Sequence, residues 1–123
     1  MLTRRERTLL QTTCIFCNIA QGQPPADIIY QDDQVFVIKD IAPKAPTHLL
    51  IIPSQHIPKL DQAEGGQEPL LGHMFLVAKE MAERCGVTSK GYRLVVNQGT
   101  HAGMTVDHIH MHLLGGTSLG SMG

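Results

Sequence analysis

The segment D-H-I-H-M-H-L-L at residues 107–114 decides the fold of this 123-residue chain. Successive side chains of a β-strand point to opposite faces, so a strand here places His108, His110 and His112 on one face and the intervening apolar residues on the other. A shift of one residue would bury the histidines, and the register is therefore strongly specified. The segment predicts a strand over Val106–Leu114, with one chemical face and one core face.

The three aligned histidines allow three interpretations. They can be ordinary polar positions, they can together ligate one catalytic zinc ion, or one imidazole can act as a nucleophile while its neighbours position it and transfer protons. The loop that precedes the strand contains Gly99, Gly103 and Thr105, whose backbone N–H groups and hydroxyl can cradle a phosphoryl group. This loop favours the nucleophile, and the zinc hydrolase stays as a rival hypothesis.

The rest of the chain predicts a single α+β domain with a mostly antiparallel sheet. Leu70–Cys85 is the best helix, because its apolar residues recur every three or four positions and form one stripe. Cys85 lies on that stripe and is expected in the core. A short N-terminal helix is predicted over Cys14–Gln21. Four further strands are predicted at Ile28–Tyr30, Val35–Lys39, Leu49–Ile52 and Tyr92–Asn97.

Composition excludes several classes of protein. Hydrophobic residues make up 42% and charged residues 17% of the chain, which excludes wholesale disorder. The net charge is −1, so no broad basic surface for nucleic acid is expected, and no apolar run is long enough to span a membrane. Three cysteines and no signal peptide indicate a cytoplasmic protein. Residues 1–13 are expected to be a mobile leader, and residues 14–123 the domain.

Several strings of residues resemble the histidine triad (HIT) family, and in particular its Hint branch. Besides residues 107–114 they are C-I-F-C-N-I (14–19), D-I-A-P-K-A-P-T-H-L-L-I-I-P (40–53), L-L-G-H (70–73), G-Y-R-L-V-V-N-Q-G (91–99) and H-L-L-G-G (112–116). The resemblance implies a five-stranded antiparallel sheet with one long helix. It also implies a homodimer joined through the long helix and residues 91–97. Members of this branch hydrolyse purine nucleoside phosphoramidates and related AMP conjugates.

The same resemblance implies four catalytic roles. His110 would be the nucleophile that takes the nucleotidyl group. His112 would contact the phosphoryl oxygens, and His48 would support the site from a neighbouring strand. The Thr105 hydroxyl would serve the leaving group.

The resemblance also implies how the purine nucleotide is bound. Asn97 and Gly103 would line the phosphate side. Asp40 would hold the ribose hydroxyls, with a turn residue as the alternative interpretation. The apolar slot for the base, for which core packing is the alternative in each case, would consist of Phe16, Ile19, Ile38, Ile41 and Leu50.

Cys14 and Cys17 form a C-x-x-C pair, which by itself can be a redox pair, half of a zinc site or an accident. The chain lacks the βαβ context that a redox motif requires. The resemblance implies a structural zinc site completed by His56 and His108, which fits the four ligands that such sites use. In that arrangement His110 remains available for chemistry.

Two departures from the family pattern bear on the activity. Met104 stands where the family has glutamine, and a thioether cannot donate a hydrogen bond to a phosphoryl oxygen. The tail over residues 117–123 lacks the tryptophan and prolines that are common in the Hint branch. Two alternative functions therefore remain: a nucleotide-binding scaffold with little turnover, and a dinucleoside polyphosphate hydrolase.

Overall fold

The computed structural model describes residues 13–22 and 26–122. Apart from Thr13, the predicted leader lies outside the described residues. The helices and strands in chain order are α1 (Ile15–Ala20), β1 (Ile28–Gln31), β2 (Val35–Lys39), β3 (Thr47–Pro53), α2 (Glu68–Arg84), β4 (Tyr92–Val95) and β5 (Met111–Gly115). Three single turns of 3-10 helix lie at Leu60–Gln62, Gly65–Gln67 and Thr100–Ala102.

The five strands form one antiparallel sheet in the order β1-β2-β3-β5-β4. The predicted α+β class, with one long and one short helix, is confirmed. The last strand in sequence inserts between β3 and β4, so the histidine-bearing strand has a hydrogen-bonded neighbour on each side. No helix within residues 13–22 and 26–122 has the length and apolar character needed to cross a membrane.

Each face of the sheet buries a separate apolar cluster. The larger cluster lies under α2, where the predicted stripe of the helix packs on alternate residues of the strands. Ile109, Met111 and Leu113 belong to this cluster, as their alternation predicted. The smaller cluster lies under α1 and includes Phe16 and Leu50. Each fully buried side chain of this size contributes about 1.5–3 kcal/mol to stability, so the two clusters fix which face the histidines occupy.

The predicted fifth strand begins later than expected, at Met111 instead of Val106. The ladder with β3 ends at the pair Ile51–Met111, and β3 itself ends at Pro53, which has no N–H to continue the ladder. The Pro53 carbonyl instead accepts a hydrogen bond from the His108 ring at 2.7 Å. The two strand residues predicted beyond Val95 likewise lie outside the ladder of β4.

The prediction that Cys85 is a core thiol was wrong. Cys85 is the C-cap of α2, and its side chain is exposed. The helix ends one residue earlier than predicted, at Arg84, so Cys85 lies beyond the last helical position of the apolar stripe.

Candidate active site

A cavity of about 350 Å³ opens on the α1 side of the sheet. Its walls are formed by Ile15, Phe16, Ile38, Lys39, Asp40, Ile41, Leu50, Asn97, Gly103, Thr105, Val106, His110 and His112. Most of the residues predicted for substrate binding or catalysis meet here. Sequence reasoning missed three wall residues, Ile15, Lys39 and Val106, and the only signal for them was that each adjoins a predicted wall residue in the sequence.

Two predicted site residues lie behind the wall instead of on it. Ile19 is 7% exposed and packs in the smaller apolar cluster, which is the core-packing alternative for that position. His48 is 6% exposed and lies behind His112, with their ring centroids 5.1 Å apart. His48 does not line the cavity, so it can act on a bound molecule only through neighbouring side chains such as His112.

The strand register explains why the cavity combines apolar and imidazole groups. Ile38 pairs with Leu50, and Leu50 pairs with His112, so these three side chains form one row across β2, β3 and β5. Directly paired residues point to the same face of a sheet. The row thus sets an apolar floor beside an imidazole, below α1.

His110 is held with one particular ring nitrogen available. The ring is 8% exposed, and its Nδ1–H donates to the main-chain carbonyl of His108 at 2.8 Å. A carbonyl can only accept, so neutral His110 carries its hydrogen on Nδ1 and a lone pair on Nε2. The Phe16 ring meets His110 edge-on at 5.0 Å between centroids. The site therefore contains an oriented, basic imidazole nitrogen in the wall of a cavity.

A chain of hydrogen bonds fixes the tautomers of the other two histidines at the site. The Lys44 main-chain N–H donates to His48 Nδ1 at 3.0 Å, which places the hydrogen of neutral His48 on Nε2. His48 Nε2–H then donates to His112 Nδ1 at 2.9 Å. Neutral His112 must carry its own hydrogen on Nε2, as a donor. The Lys44 N–H fixes the tautomer of His48, and His48 in turn fixes that of His112. His112 therefore presents an N–H donor at the cavity wall.

Burial keeps these two rings neutral. Desolvation is the main cause that lowers the pKa of His48, partly opposed by the Asp40 carboxylate. The pKa of His112 is lowered to about 4, first by burial and then by the neighbouring His110 and His48. The neutral tautomers required by the relay are thus the stable forms near neutral pH.

Asp40 is a turn residue that also lines the cavity. Its Oδ1 accepts the Ala42 main-chain N–H at 2.8 Å, as a turn residue would. Its Oδ2 lies 3.5 Å from His48 Nε2, and the residue lines the cavity. The carboxylate is held by the turn in a place where it can accept hydrogen bonds from a bound molecule.

Contacts within the loop over residues 97–105, which also lines the cavity, hold that loop in place. Asn97 Nδ2 donates to the Ala102 carbonyl at 2.8 Å, and Gly103 adopts a left-handed conformation with φ of +81°. Met104 is 9% exposed and is not a wall residue, while Thr105 next to it is exposed and lines the cavity. The thioether thus packs inward, and the Thr105 hydroxyl is the side-chain donor that this part of the loop supplies.

A second cluster lies behind the cavity, at the N-terminal end of α1. The ligand atoms of Cys14, Cys17, His56 and His108 all lie within 4.8 Å of one another. Cys17 Sγ is 3.1 Å from His56 Nδ1, and Cys14 Sγ is 3.3 Å from His108 Nδ1. The donor set and its compactness fit a tetrahedral zinc ion.

The His108 ring is oriented as metal-ligating histidines are. Its Nε2–H donates to the Pro53 carbonyl, which leaves the Nδ1 lone pair facing the two sulfurs. A backbone or carboxylate partner on the far nitrogen is the usual outer contact of such a ligand. The four residues predicted as a metal site therefore lie together, and His108 directs Nδ1, the nitrogen with the lone pair, at the sulfurs.

The rival arrangement, with one metal on His108, His110 and His112, has no counterpart in the described residues. The His108 nitrogen belongs to the cysteine cluster, and that of His112 belongs to a group with Asp40 and His48. In that second group the Lys44 hydrogen bond keeps a hydrogen on His48 Nε2, the atom that would have to bind an ion. Both observations argue against a catalytic metal at the cavity.

Fold and site together define a small α+β protein in which His110, immediately before β5, presents an oriented imidazole to a half-apolar cavity. Residues 13–122 match the family model described as "Scavenger mRNA decapping enzyme C-term binding". The chain is 49% identical over 108 residues to the purine nucleoside phosphoramidase of Escherichia coli (strain K12), covering 88% of this chain and 91% of that protein. The chain belongs to the histidine triad family.

Solved structures agree with this assignment. A HIT family hydrolase from Legionella pneumophila Philadelphia 1 is 44% identical, with a TM-score of 0.83, over 85% of this chain and 94% of that one. A HIT family hydrolase from Clostridium thermocellum is 42% identical, with a TM-score of 0.86, over 91% of this chain and 97% of that one. The likeness extends over nearly the whole of each chain, and it includes the five-stranded sheet and both helices.

Proposed function

We propose that this protein hydrolyses purine nucleoside phosphoramidates, or related AMP conjugates, through a covalent nucleotidyl-His110 intermediate. The observation that carries the proposal is the orientation of His110, whose Nδ1–H is donated to a backbone carbonyl while Nε2 keeps its lone pair at the cavity wall. An imidazole held in this way is a ready nucleophile for phosphorus. The named activity of the Escherichia coli relative supports the same substrate class.

In the first step His110 Nε2 attacks phosphorus and the phosphorus–nitrogen bond to the leaving amine breaks. The amine departs with its bonding electron pair and takes a proton from the Thr105 hydroxyl, which at the same time takes one from solvent and so acts as a relay. The His112 Nε2–H, set by the relay from Lys44, donates to a phosphoryl oxygen as negative charge develops there. The product is a nucleotidyl group on His110, whose positive charge spreads over the imidazole.

In the second step water attacks the same phosphorus and the bond to His110 Nε2 breaks. The ring recovers its lone pair, the attacking water loses a proton to the solvent, and a nucleoside monophosphate is released. The hydrogen remains on His110 Nδ1 and is donated to the His108 carbonyl throughout, so the imidazole leaves as the neutral ring.

Substrate recognition divides between the two sides of the cavity. We assign the purine to the apolar slot, whose residues Phe16, Ile38 and Leu50 can cover the flat faces of a base. Asp40 accepts hydrogen bonds from the ribose hydroxyls. We place the phosphate on the side of Asn97 and Gly103, within the same cavity as Thr105 and His112.

We also propose that Cys14, Cys17, His56 and His108 hold one structural zinc ion. When bound, the ion would cross-link α1 to the segments that follow β3 and precede β5. Metal analysis tests this: the protein as isolated should contain about one zinc per chain, and the Cys14→Ser/Cys17→Ser double variant should contain none. Retention of zinc by the double variant would show that the ligands lie elsewhere.

A homodimer is the assembly we propose, with α2 and β4 at the contact. β4 is an edge strand of the sheet, and Phe75 and Leu76 on α2 are 55% and 66% exposed. Unpaired edges and exposed apolar side chains are what such a contact would cover. Cytoplasmic residence and the lack of a nucleic-acid partner stay proposals that depend on cysteine usage and on the net charge of −1.

The decisive experiment on the reaction is His110→Ala. We expect turnover of an adenosine phosphoramidate to fall by about 1,000-fold or more, while AMP binding, measured by calorimetry, changes little. The exposed loop variant His101→Ala is the matched control and should keep full turnover. Mass spectrometry of the wild type, denatured at high pH during turnover, should detect one nucleotidyl group on His110.

Other outcomes have separate meanings. Retained turnover in His110→Ala would disprove the covalent mechanism. Tight AMP binding by the wild type without turnover of any phosphoramidate would instead indicate the nucleotide-binding scaffold. Preferential cleavage of dinucleoside polyphosphates would indicate a dinucleoside polyphosphate hydrolase.

A further inference from the structure

The cysteine cluster and the cavity share the helix α1. Cys14 caps the helix, with its sulfur 3.5 Å from the Cys17 main-chain N–H, and Phe16 lies between the two cysteines. The Phe16 ring contacts both the His108 ring and the His110 ring edge-on, with centroids 5.7 and 5.0 Å apart. One turn of helix thus supplies two ligand sulfurs and a wall of the cavity.

His108 connects the two sites through a different route. Its Nδ1 faces the sulfurs of Cys14 and Cys17 at 3.3 and 3.5 Å. Its main-chain carbonyl accepts the Nδ1–H of His110, the hydrogen bond that selects the nucleophilic tautomer. A change in the backbone dihedral angles of His108 therefore moves the carbonyl that accepts the hydrogen bond from His110.

Secondary structure alone does not hold either connection, α1 or the segment with His108 and His110, in place. α1 has six residues, and helices this short are marginal without outside contacts. His108 and His110 precede the ladder of β5, and one backbone hydrogen bond, from the Ile109 N–H to the Ile57 carbonyl at 2.8 Å, ties their segment to the residue after His56. Contacts of the His108 ring with Pro53, Phe16 and the cysteine cluster also hold this segment.

We propose that the metal-bound Cys14/Cys17/His56/His108 cluster is a positioning device for catalysis, because it holds both the His108 carbonyl and Phe16 against the nucleophile His110. The four ligands are positioning residues, since none of them lines the cavity. This inference rests on the proposed function for its kinetic consequence. Its structural consequence, the orientation of the His110 ring, is measurable without any turnover.

The test measures the His110 tautomer by two-bond ¹H–¹⁵N NMR of the imidazoles at one fixed pH. In the zinc-loaded wild type His110 should exist as a single tautomer with hydrogen on Nδ1. In Cys17→Ser, which lacks one ligand but keeps the His108 carbonyl, the two ¹⁵N resonances of His110 should move toward each other as both tautomers become populated. Cys85→Ser is the matched control, because it makes the same thiol-to-hydroxyl change outside the cluster, and its spectrum should match the wild type.

The kinetic arm measures kcat and KM for an adenosine phosphoramidate on the same samples. Loss of an outer positioning contact typically costs 10- to 100-fold, and we expect about that loss in kcat for Cys17→Ser, with a smaller change in KM. Should Cys17→Ser fold poorly, wild-type protein stripped of zinc by a chelator replaces it. Return of zinc should then restore both the tautomer and kcat.

Several results would overturn the inference. One is a His110 tautomer that stays the same with and without zinc, even if kcat falls, because the cluster would then only stabilise the fold. Another is a changed tautomer with kcat within about twofold of the wild type. A third is a wild type that binds no zinc. If no substrate is turned over at all, the proposed function fails, and the NMR comparison still decides whether the cluster orients His110.

Discussion

At the scale of single residues, backbone groups determine the chemistry of three histidines. A carbonyl accepts from His110 Nδ1, another accepts from His108 Nε2, and the Lys44 amide donates to His48 Nδ1. Each contact selects the nitrogen that keeps the lone pair. Three chemically identical side chains thereby differ in the nitrogen that they leave available, which suits the proposed roles of nucleophile, metal ligand and start of a proton-donor relay.

The lowered pKa of His112 predicts a specific acid sensitivity. Its pKa is about 4 in the folded protein and about 6.5 in an unfolded chain. Between these values the unfolded state binds the extra proton, so stability decreases as the pH falls from about 6.5 to 4. We expect His112→Asn to lose less stability over this range than the wild type, by on the order of 2 kcal/mol.

Urea unfolding at pH 7, 5.5 and 4.5 measures this difference. The exposed His101→Asn is the matched control and should lose as much stability as the wild type. Equal losses in His112→Asn and the wild type would mean that His112 is not the neutral buried ring of the relay.

At the scale of elements, a polar contact joins the β1–β2 turn to the long helix. Asp32 Oδ2 accepts the Nε2–H of His73 on α2 at 2.6 Å and the Tyr30 hydroxyl at 2.8 Å. Its Oδ1 accepts the main-chain N–H groups of Gln34 and Val35, both at 2.8 Å. His73 therefore has a structural role in docking α2 onto the edge hairpin.

Replacement of Asp32 by Asn should weaken this docking. Burial alone would raise the pKa of Asp32, but the hydrogen bond from His73, and then those of the backbone, hold it well below its usual value. Its stabilisation is thus complete above about pH 4 and is lost as the pH falls further. We expect Asp32→Asn to lower the free energy of unfolding by about 1–2 kcal/mol at pH 7.

The neighbouring exposed carboxylate provides the control for this change. Asp33→Asn should alter the free energy of unfolding by less than about 0.5 kcal/mol. Thermal unfolding at pH 7 and pH 3 should show that the difference between Asp32→Asn and the wild type shrinks in acid. A difference independent of pH would contradict the ionic part of the contact.

At the scale of the whole molecule, the sheet order leaves β1 and β4 as its two edges. β4 separates β5, which contains His112, from the edge of the sheet, and α2 covers one of the two faces of the sheet. The exposed apolar residues Phe75 and Leu76 lie on α2. They leave two large apolar side chains on this part of the surface, which the proposed dimer would cover.

The proposed homodimer predicts that Phe75→Glu/Leu76→Glu is a monomer. Two charges placed in an apolar contact would be desolvated without partners, which opposes association. Sedimentation velocity at micromolar concentrations should report the mass of one chain for this variant and of two for the wild type. Ile29→Glu, at an exposed apolar position on β1, is the control and should remain dimeric. A monomeric wild type would reject the dimer.

Much of this molecule followed from local sequence pattern. The alternation around His110 predicted which side chains face α2, and the 3-to-4 spacing predicted the buried stripe of that helix. Such periodicities report on faces, because a half-buried element must separate apolar from polar positions. They say little about where an element ends, which is why the start of β5 and the burial of Cys85 were missed.

The sequence by itself determined the residue types at the site and the face on which each would lie. Only the tertiary structure decided which nitrogen of each ring is available, that Ile19 and Met104 pack inward, and that Cys17 meets His56. The physical reason is that a ring tautomer depends on its hydrogen-bond partners, and those of His108 and His112 lie 55 and 64 positions away in the chain. The partners of His110 and His48 are close in sequence, but only the folded backbone brings them to the right ring nitrogen.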